Sequence, residues 1–555
     1  MDGDMKLDPK LLTNSSLDEM FYNIRSDEAV RGLYNHIFYI LRLHPDVHKI
    51  LRKVEANDAT DYSQNEISLA ASTLFHENIH WWQYVGSTSG LIMSLNLPAQ
   101  VMTSLSSFKE YLKLTGKKKP IITYSENNIN PSNMYSDEFK AVSEIVNNFH
   151  DFDYFKRRVK KPSSIKDVCN ERYFTSIGNI FHIAYSASLG LLESTFDPKC
   201  SFIPNANEWF ESFRQLEEDK VDGFHDESVP LLPPLGAIDL YEGQACFNQM
   251  LFLHIRSDRT LDFNEFVNAG MLHGVYNSAF EGFLKVLGEE RPASVESPLV
   301  ALYLLLIDIA INPGEGFPFN IVNYESFVDD TCPGTRFIFL CRVVKDCYPE
   351  FKTLITKYSP EEYYFISNAL CDALNLYSPG EYLSKFVDWC ENENSLKKLL
   401  KENESFSYDE RNHLVRLIFG RFLSFQLDKI KNPEFFCWPG AYLEGERRTS
   451  NTDRLYKKHQ AIFKENINMD IGPSTLPDIE SEVLEDTAGH FYSALTVYEL
   501  CRQWALSKGD FNYNLPWISK EHSKKDADAW IKNNFINVFG VSPDDFEIIN
   551  PKADL

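Results

Sequence analysis

At 555 residues, with 43% hydrophobic and 14% aromatic content, the chain is too long for one ordinary core and too rich in apolar side chains to be a disordered segment. Length alone points to about three to four structural units. A formal charge of −25 argues against a nucleic-acid or anionic-membrane partner, since both require clustered Lys and Arg.

The N-terminus, MDGDMKLDPKLL, lacks the basic start and apolar core of a secretory signal. Residues 17–55 are predicted to be helical, interrupted at Pro45, because LDEMFYNI, EAVRGLYNHIFYILRLH and DVHKILRKV carry apolar residues at helical spacing. His36, His44 and His48 within them read as surface residues or as satisfied core residues. Ser63 followed three residues later by Glu66 has the form of a capping box, and neither Gly nor Pro intervenes before Gly86. A helix is therefore predicted over about 64–86, and Ile67, Ala70, Ala71, Leu74, Phe75, Ile79 and Trp82 make it buried and amphipathic.

This helix carries the pattern HExxH, with His76, Glu77 and His80 in ASTLFHENIHWWQYVG. Residues four apart stack on one helical face, so two imidazoles can reach one ion. Glu77, beside that face, is placed to take a proton from a water that the ion acidifies. The competing structural account is a pair of core histidines satisfied by hydrogen bonds. Trp81 and Trp82 cannot both face one direction, which assigns one to a cleft or a helix contact, or both to packing. Gln83, one turn beyond His80, is placed to hydrogen-bond a ligand histidine.

Further along, Ser87–Gly90 reads as a turn, and LIMSLNLPAQVMTSLSSFKEYLKL as an apolar helix broken near Pro98. Residues 116–135 read as loop with a short strand at PIITY, and helices are predicted over 136–150 and 170–196, the second carrying His182, Tyr185 and Glu193. The basic stretches 113–120 and 155–166 read as solvated loops. A helix over 236–256 carries Asp239, Glu242 and His254, and residues 262–288 carry His273, Tyr276 and Glu281. The apolar run 299–311 contains Asp308 and is too short to span a bilayer, so it reads as a buried helix. NPGEGFPFN, 312–320, reads as a boundary between an HExxH-containing region, 1–318, and a C-terminal helical region, 319–555. The aromatic, charged stretch 431–448 is expected to form a cleft wall or an interface. The fold class expected is mainly α, a large multi-helix protein with few short strands. Ten cysteines without a CxxC pair suggest neither a disulfide framework nor a thiolate zinc site, and a cytoplasmic location is expected, with delivery into another cell as an effector or toxin also fitting.

Catalytic zinc commonly keeps three protein ligands and a water, so two histidines are incomplete. The metzincin solution needs Gly and His where Gln83 and Gly86 stand, and is excluded. The sequence resembles the gluzincin branch of HExxH metallopeptidases, whose third ligand is a Glu from a downstream helix. The resemblance implies Zn²⁺ held by His76, His80 and Glu242, with Glu77 as general base; in LYEGQA, the small Gly243 and Ala245 would let the two helices approach closely. Rivals to Glu242 are Asp239, in a GAIDLYEG segment loosely similar to the aspzincin pattern, and Glu193 and Glu281. Gluzincins commonly carry a sheet whose edge strand pairs with an extended peptide, and no such strand is legible in residues 1–60.

The expected activity is zinc-dependent hydrolysis of protein or peptide amide bonds. Tyr276, His273 and Tyr241 are candidates by residue type for stabilising the oxyanion, with Tyr276 preferred. The alternatives are a non-catalytic helical scaffold with a degenerate HExxH, and a zinc hydrolase of a non-peptide amide or ester.

Overall fold

In a computed structural model, residues 31–128, 135–226, 228, 232–466, 470–519 and 522–551 are described, and they are mainly helical with two small sheets. The N-terminal segment departs from the helical expectation. Residues 32–43 form a hairpin of β1 (Gly32–Asn35) and β2 (Ile40–Leu43), antiparallel, with Gly32 opposite Leu43. Its turn is closed by the Asn35 side chain, which accepts the N–H groups of Ile37 and Phe38 at 3.0 and 3.1 Å. The run is aromatic and β-branched as well as helically spaced, and the turn chemistry of Asn35 decides between the two. Pro45 opens the next helix, α1 (Pro45–Glu55), instead of interrupting one. The expected helical residues 17–30 lie outside the described residues.

The predicted motif helix is present as α2 (Gln64–Gly86). Its capping box is formed: Ser63 N–H donates to Glu66 at 2.8 Å, and Glu66 N–H to the Ser63 hydroxyl at 3.2 Å. From Phe75 to Gly86 every residue is buried, so the amphipathic expectation gives way to a helix enclosed on all sides.

Three bodies of structure enclose it. The hairpin covers the face of Glu77, Trp81 and Tyr84, with the Tyr34 ring 6.0 Å from Trp81 and 5.9 Å from Tyr84. A second helix, α3 (Ala237–Arg256), runs antiparallel along the face of Ser68, Ser72, His76, His80 and Gln83. The third side is built from residues beyond 318, chiefly the helix His413–Lys429. There Trp82 meets Phe425, Phe435 and Phe436 and donates to the His459 carbonyl at 2.8 Å. Asn78 accepts from Ala461 N–H at 2.7 Å, and Gln426 donates to the Gly86 carbonyl at 2.8 Å, so the end of α2 is tied to the same body. Both tryptophans are packing residues.

Strands β3 (Lys118–Lys119), β4 (Phe463–Glu465), β5 (Ile471–Pro473) and β6 (Glu547–Ile548) complete the sheets. The larger sheet has the order β1-β2-β4-β5, which leaves β1 at an edge with β2 as its one neighbour among the described residues. The smaller pairs β3 with β6 in parallel.

Other expectations are corrected locally. Ser87 caps a helix, Thr88–Ser94, in place of a four-residue turn, and the break falls at Leu95, with Pro98 in the first turn of Asn96–Thr115. Ile121–Asn128 is helical where PIITY was expected to be a strand. The basic stretches are solvated only in part: Lys113, Arg157, Lys161 and Lys166 are exposed, but Lys119 is buried and donates to the Ser507 and Gly509 carbonyls at 2.6 Å each, and Arg158 is buried in the helix Asp137–Lys160. The loop 312–320 is buried from Asn312 to Phe319. The stretch 431–448 contains the short helices Pro433–Cys437 and Pro439–Tyr442 and packs inward on α3, where Gly440 N–H donates to Asn248 at 3.1 Å. The apolar helix α4 (Pro298–Ala310) is buried as expected, and no helix among the described residues is long and apolar enough to cross a membrane.

Candidate metal centre

Where α2 and α3 cross, three side chains converge. His76 Nε2 and His80 Nε2 lie 3.5 and 3.3 Å from the same oxygen of Glu242, and 3.1 Å from each other. Their ligand atoms all fall within 4.8 Å, and no other group of His, Cys, Asp or Glu among the described residues converges in this way. The rivals to Glu242 are engaged elsewhere. Asp239 accepts Gly236 N–H at 2.9 Å and closes the first turn of α3. Glu281 is exposed and pairs with Arg291 at 2.9 Å, and Glu193 is turned toward Cys200. Gly243 does not ease the crossing of α2 and α3 as the sequence suggested. It admits the Tyr303 hydroxyl of α4, while Ala245, three residues after Glu242 and four before Gln249, shares their helical face.

The protonation of the two imidazoles follows from a chain of hydrogen bonds. His80 Nδ1 lies 2.8 Å from Gln83 Oε1. The Gln83 amide nitrogen is committed to the Tyr241 carbonyl at 2.8 Å and to Gln244 Oε1 at 2.9 Å, so its oxygen must face the ring. His76 Nδ1 lies 3.0 Å from Gln249 Oε1, and the Gln249 nitrogen donates to the Ser72 hydroxyl at 3.1 Å. That hydroxyl donates onward to the Leu69 carbonyl at 3.0 Å, so it can only accept from Gln249. Both Nδ1 atoms therefore carry hydrogen, and both Nε2 lone pairs point into the space in front of Glu242. Two such lone pairs 3.1 Å apart call for a cation or a proton between them. Two imidazole nitrogens and a carboxylate, with second partners on the imidazoles, are a donor set that suits zinc.

No family model, curated protein or solved structure matches this chain.

The electrostatics describe the same need for positive charge. Burial opposes a charged His80, but Glu242, with Glu77 and Gln83, outweighs it and pushes the imidazole up to about 9. Burial likewise opposes ionised Glu242, and His80 and His76 overcome it and hold the carboxyl well below its ordinary range. In the metal-free protein a proton on His80 thus compensates the buried carboxylate.

Glu77 occupies the adjoining face of α2, 5% exposed, under the edge strand β1. Burial raises its pKa above the ordinary carboxylate value, against the pull of His76 and His80. The Tyr34 backbone N–H faces its carboxylate and also pulls the pKa down. A proton acceptor with a raised pKa, beside a metal-type donor set, is what general-base work requires.

The three oxyanion candidates separate. The Tyr276 ring stands edge-on to His76 with centroids 6.1 Å apart, at the start of the helix Val275–Leu287. His273 is one ring further out, 5.6 Å from Tyr276, with Nδ1 tied to the Gly270 carbonyl. The Tyr241 ring is buried against Tyr84 on the inner side. Sequence reasoning missed Gln249, Gln244, Ser72, Gly32 and Tyr34. Gln249 had a readable signal, since it follows Glu242 by two helical turns and so shares its face.

Proposed function

We propose that the protein is a zinc-dependent hydrolase that cleaves amide bonds of proteins or peptides, with His76, His80 and Glu242 as the metal ligands. The observation that carries this reading is the pair of Nε2 atoms facing one oxygen of Glu242, with each Nδ1–H fixed by a glutamine. Bound zinc supplies acidification of a water and polarisation of a carbonyl. Glu77 accepts the proton of that water and delivers it to the leaving amine. Tyr276, beside His76, donates to the oxygen that becomes negative. Gln83 and Gln249 hold the ligand rings in one tautomer and orientation.

Support for a peptide substrate comes from β1. Among the described residues β1 is an edge strand beside the general base, and its outward main-chain groups, apart from the Tyr34 N–H that faces Glu77, can pair with an extended peptide as a further strand. The test is cleavage of a defined peptide mixture by wild type and by Glu77→Gln at equal zinc content. Cleavage products present only with wild type support the reading. Absence of cleavage alongside turnover of small amides or esters would redirect it to a non-peptide hydrolase, and absence of both would overturn it.

A further inference from the structure

Gly32 and Tyr34 sit two apart on β1, so their Cβ directions share one face of the strand, the one turned toward α2. Tyr34 packs over Trp81 and Tyr84 on that face. One strand step away, Gly32 lies over Glu77. A Cβ placed on Gly32 would fall 2.6 Å from Glu77 Oε1, 2.7 Å from its Cγ and 2.9 Å from its Cδ. The Glu77 carboxylate occupies the volume that any other residue at 32 would fill. Gly32 is not among the residues with a left-handed backbone, so its conformation does not require glycine. The proximity to Glu77 does.

We infer that Gly32 is a positioning residue: its missing side chain forms the niche that holds the Glu77 carboxylate beside His76 and His80. The three atoms nearest to such a Cβ all belong to the Glu77 side chain, from Cγ outward, and none to backbone, so a methyl group there displaces Glu77 before it displaces the strand. Tyr34 N–H faces the carboxylate, and the bare Gly32 backbone leaves the room it fills. The contact itself is independent of any reaction. Its catalytic consequence rests on the proposed hydrolase reading.

A thermal-unfolding cycle over wild type, Gly32→Ala, Glu77→Ala and the double variant, with zinc content measured on each, tests the contact. The melting temperature is expected to fall on Gly32→Ala in the wild-type background and to stay level or rise on the same change in the Glu77→Ala background, where the niche is empty and alanine suits a strand better than glycine. Zinc content is expected to be the same in all four. If Gly32→Ala alone does not fold, recovery of folding in the double variant supports the niche. An equal loss in both backgrounds, or failure of both to fold, overturns it. On the best-cleaved peptide of the mixture, Gly32→Ala is expected to lower kcat by roughly 10²-fold with KM little changed, as a misplacement of about 1 Å does. The same kcat in Gly32→Ala as in wild type overturns the catalytic half. Failure of the hydrolase reading shows separately, as no cleavage by wild type, and leaves the thermal cycle readable.

Discussion

Gln83 holds His80 through a 2.8 Å hydrogen bond to Nδ1, within one turn of the same helix, and is itself immobilised by two further acceptors from α3. His76 is held in the same way from the opposite helix, by Gln249 at 3.0 Å. Each glutamine fixes a tautomer as well as a direction. Gln83→Ala and Gln249→Ala are therefore expected to weaken zinc binding by about 10–100-fold each, with the helical circular dichroism unchanged. Competition against a chromophoric chelator measures this. Unchanged affinity in both variants would contradict the tautomer argument.

The charge balance predicts a pH dependence with a definite sign. His80 is raised from its ordinary 6.5 to about 9 in the metal-free protein, so below about 9 a metal must displace a proton. Zinc affinity is expected to rise about tenfold per pH unit between those two values. The same raised pKa gives the metal-free protein a stabilising contribution that is complete below pH 6.5 and lost as pH rises through about 9. The gap in melting temperature between zinc-loaded and metal-free protein should therefore widen over this interval. A constant gap would contradict the assignment of the proton to His80.

Tyr276 stands beside His76 without being part of the metal-type cluster. Tyr276→Phe is expected to retain full zinc content and to lower kcat by about 10²–10³-fold, the usual cost of removing one oxyanion donor. His273→Ala, one ring further out, serves as the comparison. A larger loss from His273→Ala than from Tyr276→Phe would transfer the role.

Much of the site was legible because a helix converts spacing into geometry. Ser63, Glu66 and Gly86 bounded α2 correctly, and the four-residue separation of His76 and His80 placed both rings on one face. Glu242 was approachable because a zinc reading of HExxH needed a third donor and a helix downstream offered a carboxylate. The hairpin was not legible. HIFYILRL satisfies helical and strand patterns alike, and the turn at Asn35 that decides the matter is a side-chain event without periodicity. Losing β1 also hid Gly32 and Tyr34, whose meaning depends on a partner 45 and 43 positions away in α2. Gly243 and Lys119 misled for a related reason: small size and positive charge do not say which helix or which carbonyl a residue will meet.

The capping box of α2 lies far enough from His76 to separate stability from chemistry. Ser63→Ala removes the acceptor of Glu66 N–H and is expected to cost about 1 kcal/mol of stability. Zinc stoichiometry should stay unchanged. Chemical denaturation with metal analysis on the same samples checks both. Loss of zinc from this variant would mean that the site depends on the whole helix more than on its local anchors.

The most direct measurement is the metal content of purified protein after exhaustive dialysis, on wild type, Glu77→Gln and His80→Ala. The proposed reading predicts about one zinc per chain in wild type and in Glu77→Gln, with peptide cleavage abolished only in the second, and loss of both metal and cleavage in His80→Ala. Folded wild-type protein that carries no zinc and takes none up would contradict it.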